Sequence, residues 1–273
     1  MSLLHVGHRE ILSFADSRVN LKREDVREFR EQVNRLRERL EQYIKEHPDF
    51  ELKKMLLSGS LAKGTALKTI DDIDVAIYIS MGEAPLSTHE LIPWLAERLR
   101  KAFPNIKPEQ VIENPFTVTF LFAVSGLKVD IVPVLYEGNT DWKGYLVSKT
   151  NGDRVLTSIP QHLEFVRKRK NAHGSHFAQI VRLLKFWVRT QKAKNPDFRF
   201  KSFMLELFVA HLADQGLDLS DYPEALASIF AYIATDGFRT AIVFSDYYLV
   251  SDCGASSDPI QIWDPVNCEN NTA

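Results

Sequence analysis

Cysteine is nearly absent: Cys253 and Cys268 are the only two in 273 residues. That is too few for a disulfide framework or a four-ligand zinc site, and it fits a reducing compartment. Long apolar runs are missing as well; no stretch of about 18 apolar residues exists, which excludes a spanning helix. The N-terminal "MSLLHVGHREILSF" lacks the basic region and apolar core of a secretory signal. Neither sign of charge dominates. Lys and Arg total 34 against 36 for Asp and Glu, a formal net charge of −2, so nothing global advertises nucleic acid and any anion site must be local. Internal repeats and low-complexity tracts are also missing. The expectation is a cytoplasmic protein of ordinary composition, 45% apolar and 26% charged. It is long enough for one large domain or two modest ones sharing a cleft.

What is present begins with a helix. Over residues 21–47, Val26, Phe29, Val33, Leu36, Leu40 and Tyr43 recur at three- and four-residue steps, one apolar stripe among charges. "HPDF" ends it, because the residue before a proline is pushed out of helical geometry. "KKMLLSG" and "DDIDVAIYIS" read as strands joined by "GSLAKGTALKT", and residues 86–103 as a helix with Leu91, Leu95, Leu99 and Phe103 at steps of four. "FTVTFLFAV" and "LKVDIVPVL" flank an "SG" turn as a β-hairpin. From about residue 160 the period becomes helical in "HFAQIVRLLKFWVRTQ", "KSFMLELFVAHLADQ" and "PEALASIFAYIATDGFRTAIVF"; the tail "DPIQIWDPVNCENNTA" reads as a short strand and a loop. The predicted fold class is α+β: a mixed-sheet lobe over 1–160, with the spine helix 21–47, then a helical lobe over 161–273 and an active cleft between them.

The chemistry lies in "LLSGSLAKGTALKTIDDIDVAIYI", residues 56–79. Side chains alternate along a strand, so Asp72 and Asp74 share a face with Cα atoms about 7 Å apart, while Ile73, Val75, Ile77 and Ile79 form the core face. Neighbouring carboxylates repel unless something positive neutralises them, and hard divalent cations take oxygen ligands. Asp130 interrupts the apolar strand "KVDIVPV", where an unpaired charge is costly; if the strands are neighbours, three carboxylates converge. Gly59 and Ser60 open a short helix whose N–H groups and hydroxyl suit a phosphate. A phosphate beside carboxylates needs a bridging metal, which implies in-line phosphoryl or nucleotidyl transfer with two metal ions. Singly, each feature also reads as a solvated turn or an edge aspartate; their ordered co-occurrence carries the expectation.

The same residues, with "LKVDIVPVL", resemble the nucleotidyltransferase fold of the polymerase-β superfamily. "IVRLLKFWVR", "KSFMLELFVAHL" and "IQIWDPVNCENN" resemble oligoadenylate-synthase-like enzymes, especially bacterial CD-NTases, the cyclic-oligonucleotide synthases of anti-phage CBASS systems, and among them the HORMA-regulated clade. The resemblance implies that Asp72 and Asp74 bridge the metals, with Asp71 a flanking residue. Asp130 would then be the third carboxylate, holding the metal that activates the attacking hydroxyl. Gly59 and Ser60 would form the triphosphate turn, and Lys185 and Ser202 would contact donor phosphates. It further implies two Mg²⁺ (or Mn²⁺) ions, ATP and possibly other NTPs as substrates, cyclic tri-adenylate as the first-guess product, pyrophosphate release and a HORMA-domain regulatory partner. Trp263 and Cys268 depart from the pattern, and relatives usually continue beyond the position of Ala273.

Rival readings are a nucleotidyltransferase that modifies RNA, protein or a small molecule, and a catalytically silent binding module. Lys185, alone between Leu184 and Phe186, suggests an anionic partner, although a snorkelling lysine has the same signature. The run Arg167, Lys168, Arg169 and Lys170 has the charge for a phosphate or nucleic-acid contact but reads more readily as a solvated helix end, and His173 and His176 read as loop residues without a metal role. Relatives can bind nucleic acid on the spine helix; mixed signs there leave at most weak binding.

Overall fold

The computed structural model describes residues 6–46, 52–70, 72–82, 84–85, 87–123, 125–253 and 257–273. In chain order the elements are α1 (His8–Phe14), continued by a π-helical turn (Ala15–Val19), α2 (Arg23–Glu46), β1 (Leu52–Leu57), α3 (Gly59–Lys63), β2 (Asp72–Ser80), α4 (Leu91–Ala102) and β3 (Val111–Glu113). There follow β4 (Val118–Leu121), β5 (Lys128–Tyr136), β6 (Gly144–Val147), β7 (Arg154–Thr157), α5 (Ile159–Lys194), α6 (Ser202–Asp214) and α7 (Tyr222–Thr235). Two compact units form: one from Lys22–Lys63 and Ile70–Leu163, the other from Met1–Leu21, Gly64–Thr69 and Glu164–Ala273. The division is therefore not one cut near residue 160; the start of the chain and the short segment after α3 belong with the helical unit.

The first unit is built on a mixed sheet of order β1-β2-β5-β4-β3, with β6 on β5 and β7 on β6. The pairing of β2 with β5 is parallel and the others are antiparallel. The expected hairpin is there as β4 and β5, closed by Gly126 at φ 69°. Val33, Leu36, Leu40 and Tyr43 of the α2 stripe are buried; residues 47–50, where the proline was expected to stop the helix, lie outside the described residues. Leu91, Leu95 and Leu99 bury one face of α4, which lies against β3, β4 and β5. On β2, Ile73, Val75, Ile77 and Ile79 are fully buried, as the alternation predicts. The opposite face changes character along its length. Asp72 is exposed and Asp74 half-buried, but Ala76 and Tyr78 beyond them are buried with Val134, packed by Leu56, Tyr136, Trp142, Leu146 and Ile159. The carboxylates thus stand at the wet end of a strand whose remainder is dry on both faces.

In the helical unit, α5, α6 and α7 enclose a core that includes Phe177, Ile180, Leu184, Phe208, Ile229 and Phe244. α5 starts earlier than expected and bends at Gly174 (φ 61°, ψ −145°). His173 and His176 therefore sit in helix, not loop, and His176 Nδ1 lies 3.1 Å from the Tyr222 hydroxyl. The basic run is only partly solvated. Arg169 is buried, stacks on Phe165 and pairs with Asp214 (2.6 Å) and Asp246 (3.2 Å). The helix expected through residue 244 stops at Thr235, because Gly237 and Phe238 take φ near +60° and reverse the chain. Ile242 then bridges Ile262, and the expected tail strand reduces to isolated bridges there and at Trp263–Asn271. Among the described residues, no helix is long and apolar enough to cross a membrane.

Candidate active site

The parallel register of β2 and β5 places Asp74 directly beside Asp130, and Asp72 beside Lys128. Register partners on adjacent strands are about 4.8 Å apart and point to the same face, so Asp72, Asp74 and Asp130 share one. The neighbourhood inferred for Asp130 is thus the observed one. Asp71 lies outside the described residues.

Gly59 ties this face to the turn that opens α3. A Cβ built on Gly59 falls 1.7 Å from Asp74 Oδ2 and 2.5 Å from its Cγ. The carboxylate therefore occupies the space that any side chain at 59 needs. Gly59 also has φ +59°, a left-handed geometry that costs other residues energy. The Ser58 amide donates to the Asp74 carbonyl (2.8 Å), so the turn is hydrogen-bonded to the β2 backbone and packed against the Asp74 side chain. Ser60, half-buried, follows at the first turn of α3.

A second layer of contacts holds Asp130, and the sequence did not reveal it. Thr119 is its register partner on β4, and the Thr119 hydroxyl donates to Asp130 Oδ1 in a short hydrogen bond. Asn114 Nδ2 in turn donates to Thr119 Oγ1 (2.8 Å) and to Thr117 Oγ1 (3.1 Å). This Asn-Thr-Asp relay fixes the carboxylate's rotamer and leaves its other oxygen outside the relay. The signal available in the sequence was threonine at alternate positions, Thr117 and Thr119, in an otherwise apolar strand.

Among the described residues, no group of three or more His, Cys, Asp or Glu side chains is already gathered as a metal cage. The fit of a cation rests instead on donor chemistry. Adjacent strands present the carboxylates of Asp74 and Asp130 side by side and half-buried, with Asp72 more open beside Lys128. Such a set suits hard divalent ions and suits soft metals poorly.

Lys185 and Ser202 belong to the helical unit. Lys185 is only 8% exposed; its Nζ donates to Glu206 Oε1 (2.6 Å) and to Thr65 Oγ1 (3.0 Å). Its charge is therefore met by a buried carboxylate, and the lysine does not snorkel. Ser202 is exposed at the first position of α6, preceded by Lys201 at the N-cap.

Comparison with known proteins places this geometry. Residues 8–171 match the Second Messenger Oligonucleotide or Dinucleotide Synthetase (SMODS) domain. A cyclic AMP-AMP-AMP synthase of Escherichia coli (strain MS 115-1) is 53% identical over the whole chain and 85% of its own length. A CBASS oligonucleotide cyclase, CdnC, of E. coli (strain KTE188) is 32% identical over 95% of this chain and 82% of its own. Solved structures of E. coli MS115-1 CdnC, one with ATP and one in complex with HORMA-deltaN, superpose with TM-scores of 0.90 and 0.89. Each is 53% identical and covers 98% of this chain and 84% of the other. With the matching domain covering more than half its length and these relatives spanning nearly all of it, the chain belongs to the SMODS family of CD-NTase nucleotidyltransferases.

Proposed function

We infer that this enzyme joins ATP into a cyclic oligoadenylate, with cyclic tri-adenylate as the principal product, and releases one pyrophosphate per bond. Asp74 and Asp130, side by side, with Asp72 on the same face, would hold two Mg²⁺ (or Mn²⁺) ions; nucleotidyltransferases of this family generally use divalent ions. When bound, the ions neutralise the triphosphate and lower the pKa of the attacking 3′-hydroxyl. The chain's own residues do the rest. Gly59 lets the phosphate-binding turn close on Asp74, and Ser60 presents a hydroxyl and an amide at the start of α3. Thr119 keeps Asp130 aimed by donating to it. Lys185 and Ser202 are assigned to phosphate binding: the lysine has a third donor beyond those spent on Glu206 and Thr65, and the serine is exposed.

The carrying observation is the carboxylate of Asp74 lodged against the glycine of a phosphate-type turn, beside Asp130 on the next strand. The product and the partner follow the named relatives: a synthase of cyclic AMP-AMP-AMP, a CBASS cyclase, and a CdnC that forms a complex with HORMA-deltaN. The same kinship assigns the enzyme to bacterial anti-phage signalling under control of a HORMA-domain protein. Mass spectrometry after incubation with ATP and Mg²⁺, with and without the HORMA-domain partner, tests this. A phosphatase-resistant cyclic tri-adenylate is expected, absent with Asp72→Asn/Asp74→Asn. Adenylate attached to RNA, protein or a small molecule instead would overturn it.

A further inference from the structure

The segment Gly64–Thr69 runs between the turn at Gly59–Ser60 and the strand of Asp72 and Asp74, yet it clusters with the helical unit. It is held there at nearly every residue. Arg182, Lys185 and Arg189 lie at steps of three and four on α5, one face of one helix. Arg182 Nη1 donates to the Gly64 carbonyl (2.6 Å), while its other nitrogens donate to Asn20 (2.9 Å) and Gln179 (2.8 Å). Lys185 donates to the Thr65 hydroxyl, which itself donates to Glu206 Oε1 (2.7 Å). Arg189 Nη1 donates to the Thr69 carbonyl (3.2 Å) and to its hydroxyl. Between these, Leu67 bridges Asn20, the Lys68 amide donates to the Val19 carbonyl (2.8 Å) and the Lys68 ammonium to the Ser17 carbonyl (3.0 Å).

Thr65 is fully buried and Glu206 is 2% exposed. A buried ion pair of this kind adds little net stability over an apolar replacement, because desolvation offsets the attraction. What it does supply is direction: charge-assisted bonds hold one geometry and tolerate no slippage. An ordinary surface connection has no use for that. A segment leading from a phosphate turn into a metal-holding strand does, since displacing reacting groups by about 1 Å can cost on the order of a hundredfold in rate.

Resting on the assignment of Asp72, Asp74 and Asp130 as the metal-holding carboxylates, we propose that Thr65, Glu206 and Arg182 are positioning residues for nucleotidyl transfer. None of the three is assigned to substrate or metal binding. They lock Gly64–Thr69 so that the residues on either side of it in the chain are held in reactive register.

Thr65→Val keeps the shape of the side chain and removes the hydroxyl; Thr65→Ser restores it. With ATP and Mg²⁺, Thr65→Val should lower kcat per folded molecule by roughly ten- to a hundredfold and change KM for ATP far less, while Thr65→Ser should return most of the loss. Amide exchange in residues 64–69 should quicken in Thr65→Val and not in Thr65→Ser. Quickened exchange with unchanged kcat per folded molecule would overturn the proposal, since the lock would then serve folding alone. If Thr65→Val does not fold, Arg182→Gln and its rescue by Arg182→Lys carry the same test through the Gly64 carbonyl, with the same opposing outcomes. Asp72→Asn/Asp74→Asn, run alongside, separates the two ideas. Turnover surviving in that variant sinks the carboxylate assignment itself, whereas its loss together with unaltered turnover in Thr65→Val sinks only the positioning role.

Discussion

At position 59 the chain has no freedom of choice. A methyl group there overlaps the Asp74 carboxylate, and the backbone sits in the left-handed region. Gly59→Ala is therefore expected to push Asp74 off its site and to add about 1–2 kcal/mol of backbone strain. Pyrophosphate release should fall by roughly two orders of magnitude while circular dichroism still reports a folded protein. Thr119 is a gentler probe. Thr119→Val preserves packing but frees Asp130 from its donor, and groups that orient ligand side chains typically matter about 10–100-fold. Titrating Mg²⁺ should show a weaker apparent affinity for the ion in Thr119→Val than in the unaltered chain. The three aspartates were legible in the sequence because alternation exposes a charge that breaks an apolar run. Thr119 and Asn114 were not. Their roles depend on which residue of β4 faces which residue of β5, and register is a tertiary fact.

Elements that pack in long periodic stripes were read correctly; those decided by a single contact were not. The buried stripes of α2 and α4 and the β4–β5 hairpin follow from spacing alone. β3, β6 and β7, of three or four residues each, carry too little alternation to declare themselves. The end of α7 turns on Gly237 and Phe238 together; a glycine just past a helix end is a stop the sequence offers, whereas nothing in the chemistry of Phe238 announces its left-handed backbone. Arg169 looked solvated because its partners Asp214 and Asp246 lie far along the chain. Between α5 and α6, Lys185 and Glu206 make a quantitative prediction possible. Glu206→Ala leaves a buried ammonium without its carboxylate and should cost about 3–5 kcal/mol, whereas replacing Thr65, Lys185 and Glu206 together by apolar residues of similar volume should be near neutral. Urea denaturation of the two variants checks the contrast.

For the molecule as a whole, pH should act on stability through His211 as well as through catalysis. Burial holds its pKa below the ordinary 6.5, against the opposing pull of Asp214 and Asp236, and its Nε2 is buried without a hydrogen-bond partner. The folded protein thus binds fewer protons than the unfolded chain at this site. The stabilisation is complete above pH 6.5 and is lost as the pH falls from there through the folded-state value. A urea midpoint that declines on acidification from neutrality, with a shallower decline in His211→Phe, is the expected result.

One consequence of the parallel pairing concerns timing. Two strands running the same way cannot meet through a tight turn, so β2 must wait for the β3–β4 excursion before β5 can lie beside it. A nascent chain that has emerged only as far as Asp74 owns two of the three aspartates and none of the strand that carries the third. The candidate site is thus incomplete by topology until translation has passed β5, and a shorter polypeptide lacks one of its three carboxylates.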